Sequence, residues 1–284
     1  MIREKERGRL YVVATPIGNL ADITLRALEV LRTVDAIFAE DTRVTRALLG
    51  HHGIDAKPRS LHAHNEERAA QEVLAALDAG RDVALVSDAG TPGISDPGAR
   101  AVQSALAAGK EVIPIPGASA LAAALSVSGT QGPFAFLGFL PSKRAARRRA
   151  LEHWREFPHT LVLYEAPHRI LECLVDLAEL LGKERDVVIA RELTKMFESV
   201  HACRLADAHA WLAEDANRQR GEFVLIVSGA PTHDDDDPES RRVLEALLDE
   251  LPVKTAVKLA ATITGAPRNA LYAAALDLEK ARQR

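Results

Sequence analysis

The residues best suited to chemistry in this chain lie where apolar runs stop. Val83 to Val86 is a short apolar run that ends in the polar pair Ser87 and Asp88. Gly90, Pro92, Gly93, Pro97 and Gly98 then follow closely. A buried strand that stops in such a loop reads as the carboxyl edge of a parallel sheet, where α/β folds hold ligands. Glycine lets backbone approach a ligand, and proline restricts the loop around it. For one such loop alone, a strand-to-helix turn with no ligand is the plain alternative. Two more loops of this kind, Thr15-Pro-Ile-Gly18 and Pro116-Gly-Ala-Ser119, offer backbone N–H and C=O groups while leaving room for a flat ligand. Charged endings, Glu40-Asp-Thr-Arg43, Glu165-Ala-Pro-His-Arg169 and Arg191-Glu-Leu-Thr-Lys195, close other apolar runs.

Several chemistries have no support in the sequence. It contains no Gly-x-x-x-x-Gly-Lys-Ser/Thr phosphate loop, no Gly-x-Gly-x-x-Gly opening a helix after a strand, and no His-Glu-x-x-His. These absences argue against phosphoryl transfer, dinucleotide dehydrogenation and zinc hydrolysis. His51 and His52 read as surface residues, and no metal site is expected. Cys173 shares an apolar helical face with Ile170, Leu174 and Leu177, so it reads as core rather than nucleophile.

These loops need strands and helices to hold them. Leu10–Ala14, Val34–Ala39, 83–87 and 111–115 read as strands, each followed by a loop and a helix, which predicts an α/β sheet. Asp22 or Thr24 is placed to cap one helix and Asn65 the next, with Glu66 and Glu67 in its first turn. The pattern breaks around Ser128-Gly-Thr-Gln-Gly-Pro133, predicting an N-terminal α/β domain over 8–130 and a second over 131–230. In the second, strands are expected at Phe134–Gly138, Thr160–Tyr164, Val187–Ala190 and Phe223–Val227, with Ser142 capping a basic helix. Phe134, Phe136 and Phe139 read as core more than as stacking platforms. An acidic linker, 231–239, leads to helical patterns near 239–250, 253–263 and 268–282, a helix-turn-helix-like appendage over 240–284.

The chain has 284 residues, 47% apolar and 27% charged, with a net charge of -4. Nucleic-acid contact would therefore rest on local basic patches rather than a global field. Two cysteines suit a reducing compartment. With no apolar run of membrane-spanning length and no signal-peptide core at the N-terminus, a cytoplasmic protein without membrane attachment is expected.

Four stretches carry a family resemblance. Leu10-Tyr-Val-Val-Ala-Thr-Pro-Ile-Gly-Asn-Leu20, Ala39-Glu-Asp-Thr-Arg43, Ser87-Asp-Ala-Gly-Thr-Pro-Gly-Ile-Ser-Asp-Pro-Gly98 and Tyr164-Glu-Ala-Pro-His-Arg169, in that order, resemble the ribosomal RNA small subunit methyltransferase I family. That family is a branch of the tetrapyrrole-methylase superfamily, and the resemblance runs from about residue 9 to 230. It implies two α/β domains of the tetrapyrrole-methylase type with a cleft between them, and a homodimer. It also implies S-adenosylmethionine (SAM) as methyl donor and the ribose 2′-oxygen of cytidine 1402 in 16S rRNA of the small ribosomal subunit as acceptor. Gly90-Thr-Pro92 stands where the tetrapyrrole branch carries Gly-Asp-Pro, which disfavours a porphyrinoid substrate. By the same resemblance Pro16, Ala89, Gly90, Thr91, Ile94, Ser119 and Ala120 line the SAM site, with Tyr164, Glu165 and Ala166 reaching it from the second domain.

A ribose hydroxyl is a very weak acid, so its methylation calls for a general base or cations that steady the developing alkoxide. Asp88, Glu165 and Lys195 are the leading catalytic candidates, with Glu192 and His168 behind them; structural ion pairing and loop packing are the alternatives. For RNA contact the candidates are Lys143, Arg144, Arg147 and Arg148, which pair one turn apart on the basic helix, together with Arg169 and Arg191. Lys254, Lys258 and Arg268 form a weaker second patch. The competing readings are a superfamily enzyme acting on a tetrapyrrole or other small molecule, and a SAM- or RNA-binding protein without catalysis.

Overall fold

The computed structural model describes residues 8–231 and 238–282. The chain divides into two compact units, one ending at Ser228 and the other beginning at Gly229. In the first, β1 (Arg9–Val13), α1 (Leu25–Thr33), β2 (Ala36–Ala39), α2 (Thr42–His51), β3 (Arg59–Ser60), α3 (Glu66–Asp78), β4 (Val83–Val86), α4 (Ala99–Ala107), β5 (Glu111–Ile115) and α5 (Ala120–Ser128) follow in turn. Their five strands form a parallel sheet in the order β3-β2-β4-β1-β5. Strands covered on both faces must be apolar throughout, and all four residues of β4 are buried. Parallel pairing also sends the loops after β1, β2, β4 and β5 to one edge. There the loops after β1 and β4 are stitched together, Thr15 N to Gly90 O at 2.9 Å and Gly90 N to Thr15 O at 3.0 Å.

Helix starts in this sheet depend on local polar groups. Thr24 Oγ1 caps α1 by accepting from Ala27 N at 3.1 Å, and Asp41 caps α2 by accepting from Arg43 N at 2.8 Å. Asn65 occupies the N-cap position of α3, as the sequence suggested, but its side chain makes no cap bond to the helix. Its side chain instead ties the preceding turn, accepting from His62 N at 2.7 Å and donating to Ser60 O at 3.1 Å. Glu66, at the start of α3, instead serves α4: its Oε1 accepts from Gly98 N at 2.9 Å and Arg100 N at 3.2 Å. A carboxylate suits that place, because helix N-termini carry unpaired N–H groups and partial positive charge.

Next come β6 (Phe134–Phe139), α6 (Arg144–Glu152), β7 (Thr160–Glu165), α7 (Ile170–Leu181), β8 (Asp186–Arg191), β9 (Ser199–Arg204), α8 (Leu205–Ala213) and β10 (Phe223–Val227). These strands form a second sheet in the order β6-β7-β10-β8-β9, parallel only between β6 and β7. Sequence reading did not separate β9 and α8. β9 alternates half-buried and exposed residues at a sheet edge, so it presents no continuous apolar run. Cys173 is fully buried in the core of this sheet, packed with Leu151, Leu163, Leu177 and Phe223 among others. Helix α5 follows the first sheet in the chain, but its Ala124 packs with Val162, Ala190, Val224 and Ile226 on the second. Both sheets thus belong to one compact unit.

The second unit contains α9 (Pro238–Glu250), α10 (Val253–Thr264) and α11 (Arg268–Arg282), packed around Leu244, Val257, Ala260, Leu271 and Ala275. Gly265 ends α10 at a φ of 76°, a left-handed conformation that favours glycine. Residues 232–237 of the expected acidic linker lie outside the described residues.

Candidate active site

Strand direction explains why the candidate residues meet. In the second sheet β7 and β8 end at the edge where the antiparallel β10 begins, with Phe223 in register with both Glu165 and Arg191. That edge faces the stitched loops of the first sheet. A cavity of about 270 Å³ lies between them. Nine of the ten residues expected to hold the cofactor line it: Ala89, Gly90, Thr91, Ile94, Ser119, Ala120, Tyr164, Glu165 and Ala166. Pro16 is the exception. It is buried, and Ile17 takes its place at the wall.

Close approach is built in by two glycines. A side-chain carbon at Gly18 would sit 2.4 Å from Lys195 Cγ, so the bare backbone there lets Lys195 reach across from the second sheet. Gly138 lies where β6 shifts register against β7, at a φ of 62°, and a side-chain carbon there would sit 2.8 Å from Ser95 Oγ. Phe139, one residue on, lines the cavity and is 54% exposed, so the expectation of a core role fails for it. Phe134, at 46% exposed, is likewise outside the core, because the start of β6 has open solvent on one face.

Tyr164 joins the two halves. Its hydroxyl accepts from Leu121 N at 3.0 Å, at the start of α5, and its ring meets Phe136 and Phe139 edge-on at 4.9 and 5.6 Å. Burial pushes its pKa above the ordinary value. Lys195 is the one cation among the lining residues. Its Nζ donates to Glu192 Oε1 and Glu222 Oε2, each at 2.8 Å. Burial would lower its pKa, but these two carboxylates outweigh that and the net shift is upward. The lysine remains charged at neutral pH.

Glu165 lines the cavity but is closed into structure. It is 1% exposed, pairs with Arg169 Nε at 2.9 Å, and accepts from Ala166 N at 2.8 Å. Asp88 is not among the lining residues. Its Oδ1 accepts from Asp41 N at 2.8 Å, which fixes the loop after β2 against the loop after β4. Asp96 does line the cavity, and sequence reading passed over it. Burial first, then the neighbouring charge of Glu40, raises its pKa to about 6. The signal was present in the Ser-Asp-Pro step of the longest motif, but nothing in the spacing showed that the loop folds back over the cavity.

The expected RNA-contact residues divide sharply. Arg147 is 0% exposed, and its Nε donates to Asp176 Oδ2 at 2.8 Å, so it presents no surface to RNA. The same buried carboxylate accepts from Arg144 Nε at 3.1 Å and Arg148 Nη1 at 2.9 Å, and Arg148 also pairs with Glu179. The arginines of α6 therefore turn toward α7, where Glu172, Asp176 and Glu179 form an acidic stripe at helical spacing. Ser142 does not cap α6; Lys143 occupies that position without a side-chain bond. Lys143 and Arg149 are exposed, with no acidic group within 4.0 Å among the described residues. Arg169 donates to Leu140 O at 2.7 Å besides pairing with Glu165. Arg191 donates to Ser199 Oγ, Phe197 O, Asn217 O and Arg220 O, latching the loop that carries Lys195. Both arginines are structural clamps in this fold.

Residues 9–209 match the model of the Tetrapyrrole (Corrin/Porphyrin) Methylases. The chain belongs to the tetrapyrrole methylase family. Residues 234–279 match a second model, the RsmI C-terminal HTH domain. A relative named ribosomal RNA small subunit methyltransferase I, from Xylella fastidiosa strain Temecula1, is 54% identical over 93% of this chain and 98% of its own length. Another of that name, from Escherichia coli O157:H7, is 50% identical over 96% of each chain. Among solved structures, a uroporphyrin-III C-methyltransferase from Thermus thermophilus complexed with S-adenyl homocysteine shares 20% identity and a TM-score of 0.55. The match covers 78% of this chain and 97% of that one. At that identity the likeness shows the fold alone. Two identities near half over nearly the full length show in addition the ribosomal RNA small subunit methyltransferase I branch of the tetrapyrrole methylases.

The cavity of this tetrapyrrole methylase suits a flat ligand. Ala89, Gly90, Ala120, Ala166 and Ala190 give it small walls, and two of its three lining carboxylates, Glu165 and Glu222, are ion-paired with Arg169 and Lys195. Among the described residues no group of three or more His, Cys, Asp or Glu side chains is arranged to hold a metal ion, and no helix is long and apolar enough to cross a membrane.

Proposed function

We propose that this protein transfers a methyl group from SAM to 16S rRNA of the small ribosomal subunit, at the ribose 2′-oxygen of cytidine 1402. The observation that carries the reading is the convergence on one small-walled cavity of nine residues, from segments far apart in the chain, that the family resemblance assigns to the SAM site. Near-half identity with relatives named for the small-subunit rRNA reaction supports the RNA substrate. When bound, SAM supplies an activated methyl on a sulfonium centre. The chain's own residues then have to hold donor and acceptor in line, exclude water and accept one proton.

In this reading Gly90 and Thr91 bring backbone to the donor, Thr91 being fixed by its hydroxyl bond to Ala118 O at 3.3 Å. Tyr164 fixes the start of α5 over the cavity. Lys195 sits at the mouth as a charged donor for the acceptor oxygen or its neighbouring phosphate, held by Glu192 and Glu222. Glu165 and Asp88 act as positioning residues, because their oxygens are committed to Arg169, Ala166 N and Asp41 N. Lys143 and Arg149, rather than Arg147, offer phosphate contacts on α6, and exposed Lys254, Lys258 and Arg268 offer more on the helical unit.

Methyl-labelled SAM incubated with small ribosomal subunits, or with a porphyrinoid, tests the reading. Label appearing in RNA of the subunit is the expected result. Label appearing only in the porphyrinoid would overturn it, and no transfer to either would favour a binding protein without catalysis.

A further inference from the structure

We infer that Asp96 is the group that takes the proton from the acceptor hydroxyl. This rests on the methyl-transfer reading above and adds to it a residue that the motif comparison did not assign.

The geometry leaves few competitors. Three carboxylates line the cavity: Asp96, Glu165 and Glu222. Glu165 is held by Arg169 and Glu222 by Lys195, and an ion-paired carboxylate is a poor proton acceptor. Asp96 has no Lys, Arg or His nitrogen within 4.0 Å among the described residues. What faces it is acidic or neutral: Glu40 from the end of β2, Asp88 and the Ser87 hydroxyl from the end of β4, and the Tyr164 ring from β7. Asp88 and Glu40 are themselves tied together, Asp88 N donating to Glu40 Oε2 at 3.4 Å, and neither lines the cavity. Ser95, just before Asp96, has a φ of 68°, a strained value for a residue other than glycine. That backbone turn presents the aspartate on the cavity side.

The chemistry balances with no further reactant. The hydroxyl proton passes to an Asp96 carboxylate oxygen, and the oxygen's electron pair forms the new bond to the methyl carbon. The carbon–sulfur bond breaks with its pair remaining on sulfur, so the sulfonium becomes a neutral thioether. The carboxylate becomes a neutral acid and releases its proton to water as product leaves. A pKa raised to about 6 by burial and by Glu40 makes Asp96 a stronger base than an ordinary aspartate while leaving it mostly ionised at neutral pH.

The test compares wild type, Asp96→Asn and Asp96→Glu in single-turnover methylation of small subunits from cells lacking this protein, with SAM affinity measured by calorimetry on each. Asp96→Asn is expected to cut the transfer rate by about 100-fold or more, as loss of a general base does. SAM affinity should stay within about threefold, and Asp96→Glu should recover part of the rate. The wild-type rate should fall on the acid side with an apparent pKa near 6, and this limb should vanish in Asp96→Asn. The assignment is overturned if Asp96→Asn keeps a rate within about tenfold of wild type or retains the acid limb. It is also overturned if SAM affinity falls by the same factor as the rate, which would make Asp96 a donor-holding residue. A wild-type protein that labels no subunit would instead remove the methyl-transfer reading, and this assignment with it.

Discussion

Asp176→Ala tests whether the basic helix is a structural brace or an RNA-binding face. The wild-type carboxylate is 0% exposed and accepts from three guanidinium groups at 2.8, 2.9 and 3.1 Å. Burial alone would raise its pKa, but Arg147, Arg148 and Arg144 overcome that and hold it below the ordinary range. Arg144 and Arg148 reach solvent, so water replaces the lost carboxylate and neither carries the main cost. Arg147 does not reach solvent and keeps only a 3.4 Å contact with Glu172. Breaking a buried pair this way costs about 3–5 kcal/mol. For a unit of this size that is on the order of 10 °C in melting temperature. Thermal and urea unfolding measure it, and the Arg147→Met, Asp176→Ala double variant should be more stable than Asp176→Ala alone, since no buried charge is then stranded. A loss below about 1 kcal/mol would refute the reasoning, because Arg147 would then find water easily and remain available to RNA.

Other consequences can be measured directly. Asp96 has a folded-state pKa of about 6, above the ordinary aspartate value, so the folded state binds more protons between about pH 4 and 6 and stability gains from this group as pH falls through that window. Asp96→Asn should therefore melt higher than wild type at pH 8, with the gap closing toward pH 4; a gap that widens on acidification would contradict the raised pKa. Gly18→Ala forces Lys195 out of its bonds with Glu192 and Glu222, and should lower methyl transfer at least about tenfold, or 1.4 kcal/mol in barrier, with a much smaller change in melting temperature. Burial raises the pKa of the Cys173 thiol well above its ordinary value, whereas Cys203 is half-buried. Iodoacetamide should therefore modify Cys203 first in the native protein and reach Cys173 only on unfolding, as peptide mass mapping would show.

Much of this molecule was legible in its sequence for an identifiable reason. A parallel sheet buried on both faces writes itself as short apolar runs, so β1, β2, β4 and β5 stood out, and the glycine-rich endings marked the edge where the cavity lies. The three C-terminal helices were equally clear from their spacing and from Gly265. The mixed second sheet was harder, because edge strand β9 alternates half-buried with exposed residues and carries no apolar run. Charge was the least readable property. Arg147 looked like surface from its own helix alone; only the stripe Glu172, Asp176 and Glu179 on α7, together with the pairing of the two helices, reveals where it points. Asp96 was hidden for the converse reason. Its role depends on which cations do not reach it, and a linear motif does not record that.

The central claim is methyl transfer to a ribose oxygen, and alkaline hydrolysis of the labelled RNA tests it most directly. A methylated 2′-oxygen cannot attack its own phosphate, so the backbone survives alkali at that nucleotide. Label from SAM is expected to end in one alkali-resistant dinucleotide beginning with cytidine, at position 1402 of 16S rRNA. Label released as an ordinary mononucleotide with a methylated base would contradict it.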